Sequence, residues 1–303
     1  PGLVFRPRKG PGPLESDKPF IGGARLASPA RAWLENMRPS RARGQRVART
    51  LSREEIEDRL DALLRRQGEA ALNRLRDEAR EIAPQLGLEE EFEAFNELIG
   101  TLLGTRDTDV KSAVGKARAA GQPFDPERIR LFEALFAALR ETIPTDRPAP
   151  KRTGEANANL SFFEAYFSNF IEGTEFSVEE AEDIVFNGVI PQERPDDAHD
   201  VLGTYRIVSD QAEMRKLPSD VDEFLTLLRR RHAAIMEARP DKNPGVFKTM
   251  TNRAGNTVFV APDLVTGTLE KGFAFLQGLG QPFQRAVFMM LLVSEVHPFA
   301  DGN

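Results

Sequence analysis

The residues best equipped for chemistry stand together at the end of the chain, in "VSEVHPFADGN", residues 293–303. His297 can take a proton near neutral pH, because an unperturbed imidazole titrates near ~6.5. Asp301 offers the hard oxygens that suit Mg²⁺. Gly302 lets backbone amides approach an anion closely, and Asn303 adds side-chain donors, so the pair reads as the opening of a phosphate cradle. Base, metal ligand and anion nest within seven positions suit phosphoryl or nucleotidyl transfer, although an H-P-F triplet alone is as often a packing device. Natural termini are usually polar and frayed. The motif therefore reads as a chain cut inside it, and a start at Pro1 without a long apolar signal core reads as a second cut.

Such a kit needs elements to carry it. "QPFQRAVFMMLLVSEV" (281–296) is apolar nearly all round, which predicts a buried central helix delivering the motif at its C-terminal end. Upstream, "VFKTMTNRAGNTVFVAP" has two strand-like runs about a Gly-Asn turn and predicts a β-hairpin over about 246–260. Most of the remaining sequence has helical texture, including "PERIRLFEALFAALRETI", "LSFFEAYFSNFIEG" and "SDVDEFLTLLRRRHAAIMEA". Ser52 with Glu55 has capping-box spacing, and Ile56, Leu60, Leu63 and Leu64 then mark one apolar helix face. Residues 1–30 are rich in Gly and Pro and suit short strands and turns, before "SPARAWLENM" turns helical behind Ser28 and Pro29. The expected fold class is mainly α with a small β-hairpin and a few short N-terminal strands. Three prolines and alternating charges in "PTDRPAPKRTG" (144–154) mark a linker, giving expected segments of 1–50, 51–148 and 149–303.

Totals exclude several classes. No apolar run approaches the length of a membrane span. The chain has no cysteine, so disulfides, thiolate metal sites and a cysteine nucleophile are ruled out, and a cytoplasmic setting is expected. Residues 1–50 hold 11 Lys and Arg against 3 Asp and Glu, a balance of +8 that leaves −14 on the remainder. Such a head can touch nucleic acid or dock on acidic protein, and the second reading is favoured. His199 reads as part of a solvated helix start, His232 as surface or partly buried, Arg229 to Arg231 as a solvated face, and Trp33 as packed on its own helix.

"HPFADGN" resembles the first seven residues of the Fic family signature, H-x-F-x-[D/E]-G-N-G-R, matching every fixed position as far as Asn303. "SNFIEG" (168–173) is similar to the family's inhibitory motif, [S/T]-x-x-x-E-[G/N], which sits on a helix ahead of the catalytic fold. The hairpin stands where the family has a flap that holds the target segment. The resemblance covers roughly 150–303 and implies a Fic-type helical core that moves AMP from ATP, with Mg²⁺, to a Ser, Thr or Tyr hydroxyl of a target protein. It implies His297 as general base, Pro298 and Phe299 as structural parts of the motif, with Phe299 as inward anchor, Asp301 as metal ligand, and Gly302 and Asn303 as the anion hole. Ser168, Glu172 and Gly173 would form the brake, Glu172 by engaging the arginine of the Gly-Arg that follows in the signature; a chain without that arginine would transfer feebly. Other family chemistries, UMP transfer or removal of AMP, stay open, as does a homodimer. Residues 1–50 also faintly resemble the latter part of antitoxin-type regulators, so nucleic acid would be met only through an upstream module of a toxin-antitoxin kind.

Overall fold

The computed structural model describes residues 11–40, 48–106, 108–145 and 153–303. The described chain is mainly helical, with two small antiparallel pairs of strands. It divides into two compact units, Pro1–Pro123 and Phe124–Asn303.

In the first unit, β1 (Lys18–Pro19) pairs with β2 (Arg25–Leu26), as the Gly- and Pro-rich start predicts; the "LVF" run at 3–5 lies outside the described residues. Ser28 caps α1 (Pro29–Met37), its hydroxyl accepting the Arg31 N–H. Ser52 and Glu55 form the expected capping box at the start of α2 (Arg53–Leu86), which is kinked at Gly68. α3 (Glu89–Leu102) and α4 (Ala113–Ala119) complete the unit. Leu34, Leu60, Leu72, Phe95, Leu98 and Ile99 form its core. Trp33 stacks on Phe95 of α3 (6.0 Å between ring centres), so it packs across helices and not along its own.

The second unit comprises α5 (Pro126–Glu141), α6 (Gly154–Ile171), α7 (Val178–Glu182), α8 (Pro195–Ser209), α9 (Gln211–Met214), α10 (Val221–Ile235), the hairpin, α11 (Val265–Gln277) and α12 (Pro282–Val296). Two cores hold it. Phe132 and Leu139 of α5 pack with Phe224, Leu269, Phe273, Phe288 and Leu292. Phe162, Ala181, Ala198 and Val201 pack α6, α7 and α8 together. The Gln284 amide donates to the carbonyls of Leu139 (2.6 Å) and Thr142 (3.0 Å), tying α12 to α5. The unit thus begins at Phe124, upstream of the expected linker, of which residues 146–152 lie outside the described residues.

Two expectations need correction. The hairpin is shorter than 246–260: β3 (Arg253–Ala254) pairs with β4 (Thr257–Val258) about Gly255 and Asn256, and residues 246–250 form no strand. Phe247 and Lys248 turn to the signature loop instead. α12 is not buried all round, because one row, Gln284, Phe288, Leu292 and Val296, faces the core. Phe283 and Met290 are 61% and 68% exposed on other faces.

Candidate active site at the end of α12

α12 stops at His297, whose backbone is left-handed (φ 49°, ψ 63°) while its N–H still bonds to the Val293 carbonyl (2.8 Å). For a residue with a Cβ this conformation costs about 1–2 kcal/mol, and such strain gathers at functional sites. The turn sends Pro298 and Phe299 inward, and Phe299 is 1% exposed. Its ring lies flat on His232 of α10 (3.7 Å, 5°) and beside Phe247 (5.3 Å).

His232 is therefore neither surface nor partly buried; it is the floor of the loop, 3% exposed. Its Nδ1 accepts the Gly245 N–H (2.8 Å), which places the ring proton on Nε2, where it donates to the Asp301 carbonyl (2.9 Å). Burial pushes this imidazole below its ordinary range, against the opposing pull of Asp301. His199, by contrast, is exposed on α8. The arginines of 229–231 are more engaged than a solvated face requires: Arg230 and Arg231 clamp Glu213, and with Lys216 hold its carboxyl down to about 2, while Arg229 covers the Phe247 ring.

A second group grips the loop from residues 248–252. Lys248 is 5% exposed. Its Nζ donates to the carbonyls of His297 (2.7 Å) and Val296 (3.3 Å) and to Asn252 Oδ1 (2.7 Å), and its backbone N–H donates to the Pro298 carbonyl (2.9 Å). Asn252 Nδ2 donates to the Phe299 carbonyl (2.9 Å). Asn303 closes the loop from within, its Oδ1 accepting the Phe299 N–H (2.7 Å) and its Nδ2 donating to the Phe299 carbonyl (3.1 Å), which leaves one amide hydrogen for a ligand. Gly302 has φ +61°, and a Cβ there would stand 2.4 Å from the Sδ of Met236, so only glycine fits without displacement.

The chemically useful groups remain accessible. The His297 ring is partly exposed and stacks on Phe259 just after β4 (3.9 Å, 7°). Burial and the Lys248 ammonium lower its pKa, with the Ser294 backbone and Asp301 acting the other way. The Asp301 carboxylate is about half exposed, accepts the Gly302 N–H (3.0 Å) and lies 3.5 Å from the Lys242 ammonium. Among the described residues no cluster of three or more His, Asp or Glu side chains is placed to hold a metal. Asp301 still fits Mg²⁺, which commonly takes one or two carboxylates and completes its shell with water and substrate phosphates. Behind it, Arg239 bridges Asp200 (2.6 Å) and Asp197 of α8, and burial holds the Asp200 carboxyl above its usual range.

The residues of the "SNFIEG" segment sit elsewhere in the unit. Ser168 and Glu172 are exposed one turn apart at the C-terminal end of α6, and Asn169 between them is buried, bonded to Thr204 of α8 (3.2 Å). Gly173 takes φ +95° and ends the helix, its N–H bonding to the Phe170 carbonyl (3.1 Å). Among the described residues no hydrogen bond or ion pair links Glu172 to the signature loop.

The expected site residues His297, Phe299, Asp301, Gly302 and Asn303 share one loop, as their spacing requires. His232, Met236, Lys248, Asn252 and Phe259 were not legible as parts of it. Only "VFKTM", a lysine within apolar residues, hinted at a buried cation. No curated protein matches the chain. Residues 221–303, running from α10 through the hairpin to the signature loop, match the family model of the Fic/DOC family, and the segment that builds this site is of that family.

Proposed function

We propose that the second unit is a protein adenylyltransferase, moving AMP from ATP to a hydroxyl side chain of a target protein. The observation that carries this reading is the orientation of the loop backbone. The carbonyls of Val296, His297, Pro298, Phe299 and Asp301 are all turned to protein donors. The amides of Ala300, Asp301 and Asn303 find no acceptor among the described residues, so the rim offers N–H groups, the arrangement that binds phosphate oxygens.

In the proposed reaction the target's hydroxyl oxygen attacks the α-phosphorus, the bond to the β-phosphate oxygen breaks, and pyrophosphate leaves. His297 takes the hydroxyl proton, and its depressed pKa keeps it neutral and able to do so at physiological pH. Asp301 would hold Mg²⁺, which neutralises phosphate charge when bound. Gly302 and the loop amides would steady the departing pyrophosphate. Ser168 and Glu172 would act as the brake from α6.

The test is transfer of label from α-labelled ATP with Mg²⁺ to lysate proteins, using the full-length protein. His297→Ala is expected to lower transfer by roughly 10²- to 10⁴-fold, and Glu172→Gly to raise it. Label that survives His297→Ala removes the base assignment, and label from UTP alone moves the reading to UMP transfer.

A further inference from the structure

We propose that Lys248 is the positioning residue for His297: its buried ammonium grips the Val296 and His297 carbonyls and so fixes the imidazole against Phe259. This rests on the adenylyl-transfer reading for its consequence, but its geometry stands independently. A lysine is almost never 5% exposed unless paired. Among the described residues Lys248 has no carboxylate partner; its three acceptors are Asn252 Oδ1 and the two carbonyls that end α12. A cation there meets the negative end of the helix dipole, and three acceptors match the three N–H donors of an ammonium.

The grip has two sides. Lys248 holds α12 from residues preceding the hairpin, and its own N–H holds the Pro298 carbonyl, so the residues on both sides of the His297 turn are fixed by one side chain and its backbone. Arg128 of α5 braces the other side, donating to the Val258 carbonyl of β4 (3.0 Å) and the Glu295 carbonyl (3.3 Å), and pairing with the Glu295 carboxylate (3.2 Å). Phe259, on which the imidazole stacks, follows β4 directly, so the hairpin root and the end of α12 are tied at both edges of the ring. Arg128 lies outside residues 221–303, so the matched segment does not contain the whole support of its own base.

The charged groups facing the imidazole are Lys248, from the segment before β3, and Asp301, from the signature loop. Arg128, paired with Glu295 of α12, faces Lys248. A fixed cation beside the ring disfavours imidazolium, so it keeps the base in its working form as well as in place.

The test uses the chain's three histidines, whose ¹³Cε1 resonances are separable by His→Gln assignment. In the wild type the His297 resonance is expected to show a second inflection near the Lys248 titration, at about 8. In Lys248→Met its own midpoint is expected to rise, because the cation that disfavours imidazolium is gone. Lys248→Arg is expected to leave that midpoint in place. kcat for transfer is expected to fall ~10–100-fold in Lys248→Met with KM for ATP little changed, as a misplaced base requires. A folded Lys248→Met, with the His232 resonance unmoved, that keeps the His297 midpoint and kcat overturns the proposal. If that variant does not fold, the wild-type titration decides alone: a His297 resonance with no second inflection anywhere between about pH 7 and the ordinary lysine range near ~10.4 overturns it. Absence of transfer in the wild type would sink the adenylyl reading and leave the resonance data to judge Lys248 separately.

Discussion

Replacing Phe299 with alanine tests whether the signature loop is held by its aromatic anchor. The ring is 1% exposed, stacked flat on His232 and flanked by Phe247. Core Phe→Ala changes cost about 3–5 kcal/mol, from lost transfer energy and the cavity left behind. The value here is expected near 4, because His232 and Phe247 belong to different segments and cannot both collapse into the gap. With an m-value of about 2 kcal/mol/M in urea, the midpoint should fall by about 2 M. Phe299→Leu keeps most of the volume and should cost about 1–1.5 kcal/mol. Urea unfolding followed on the His232 resonance is the assay, since that ring is the one uncovered; Trp33 fluorescence reports the first unit and is unsuited. A loss below about 1 kcal/mol for Phe299→Ala, or equal losses for alanine and leucine, would refute the anchor and leave the backbone hydrogen bonds as what holds the loop.

Two further outcomes concern the same loop. Gly302→Ala places a Cβ against the Met236 Sδ and forces φ +61° on a residue that disfavours it; a loss of about 2 kcal/mol or more is expected. In a Met236→Ala background the steric share should vanish and the backbone share remain, so a Gly302→Ala cost equal in the two backgrounds would show that the close approach is not the cause. His232 and His297 both have depressed imidazole pKa values, so each contributes stability that is full above about 6.5 and is lost as pH falls through the folded-state value. The urea midpoint of the second unit should therefore drop between pH 7.5 and 5, and by less in His232→Gln; an identical drop would show that His232 is not a neutral, buried imidazole.

The sequence made the helices and the signature residues readable for different reasons. Capping at Ser28 and Ser52 and the apolar row of α2 are local, so spacing along the chain suffices to see them. The first seven signature residues were visible because they are consecutive in one loop. What could not be read were residues whose purpose depends on distant partners: His232 is 69 residues from the carbonyl it holds, Lys248 49 from His297, and Arg128 167 from Glu295. The hairpin was overestimated because "VFKTM" has strand-like composition, yet Phe247 and Lys248 are used against Phe299 and the end of α12. α12 was read as buried all round because Met290 and Phe283 are apolar, and composition does not tell a helix which neighbours it will have.

The proposed phosphate site at the end of α12 poses an electrostatic problem, and the residues missed from sequence are the ones that answer it. A helix C-terminus carries partial negative charge on its free carbonyls and repels an anion, whereas a helix N-terminus would attract one. Here carbonyls of the helix end and of the loop meet protein donors: Lys248 covers those of Val296 and His297, and Asn252 and His232 take those of Phe299 and Asp301. The left-handed turn at His297 accompanies this arrangement, in which successive carbonyls meet protein donors while the amides of 300, 301 and 303 find no acceptor among the described residues. The strain at His297 and the burial of Lys248 are then two parts of one arrangement. The first accompanies the free amides, and the second removes the negative charge that would oppose their use.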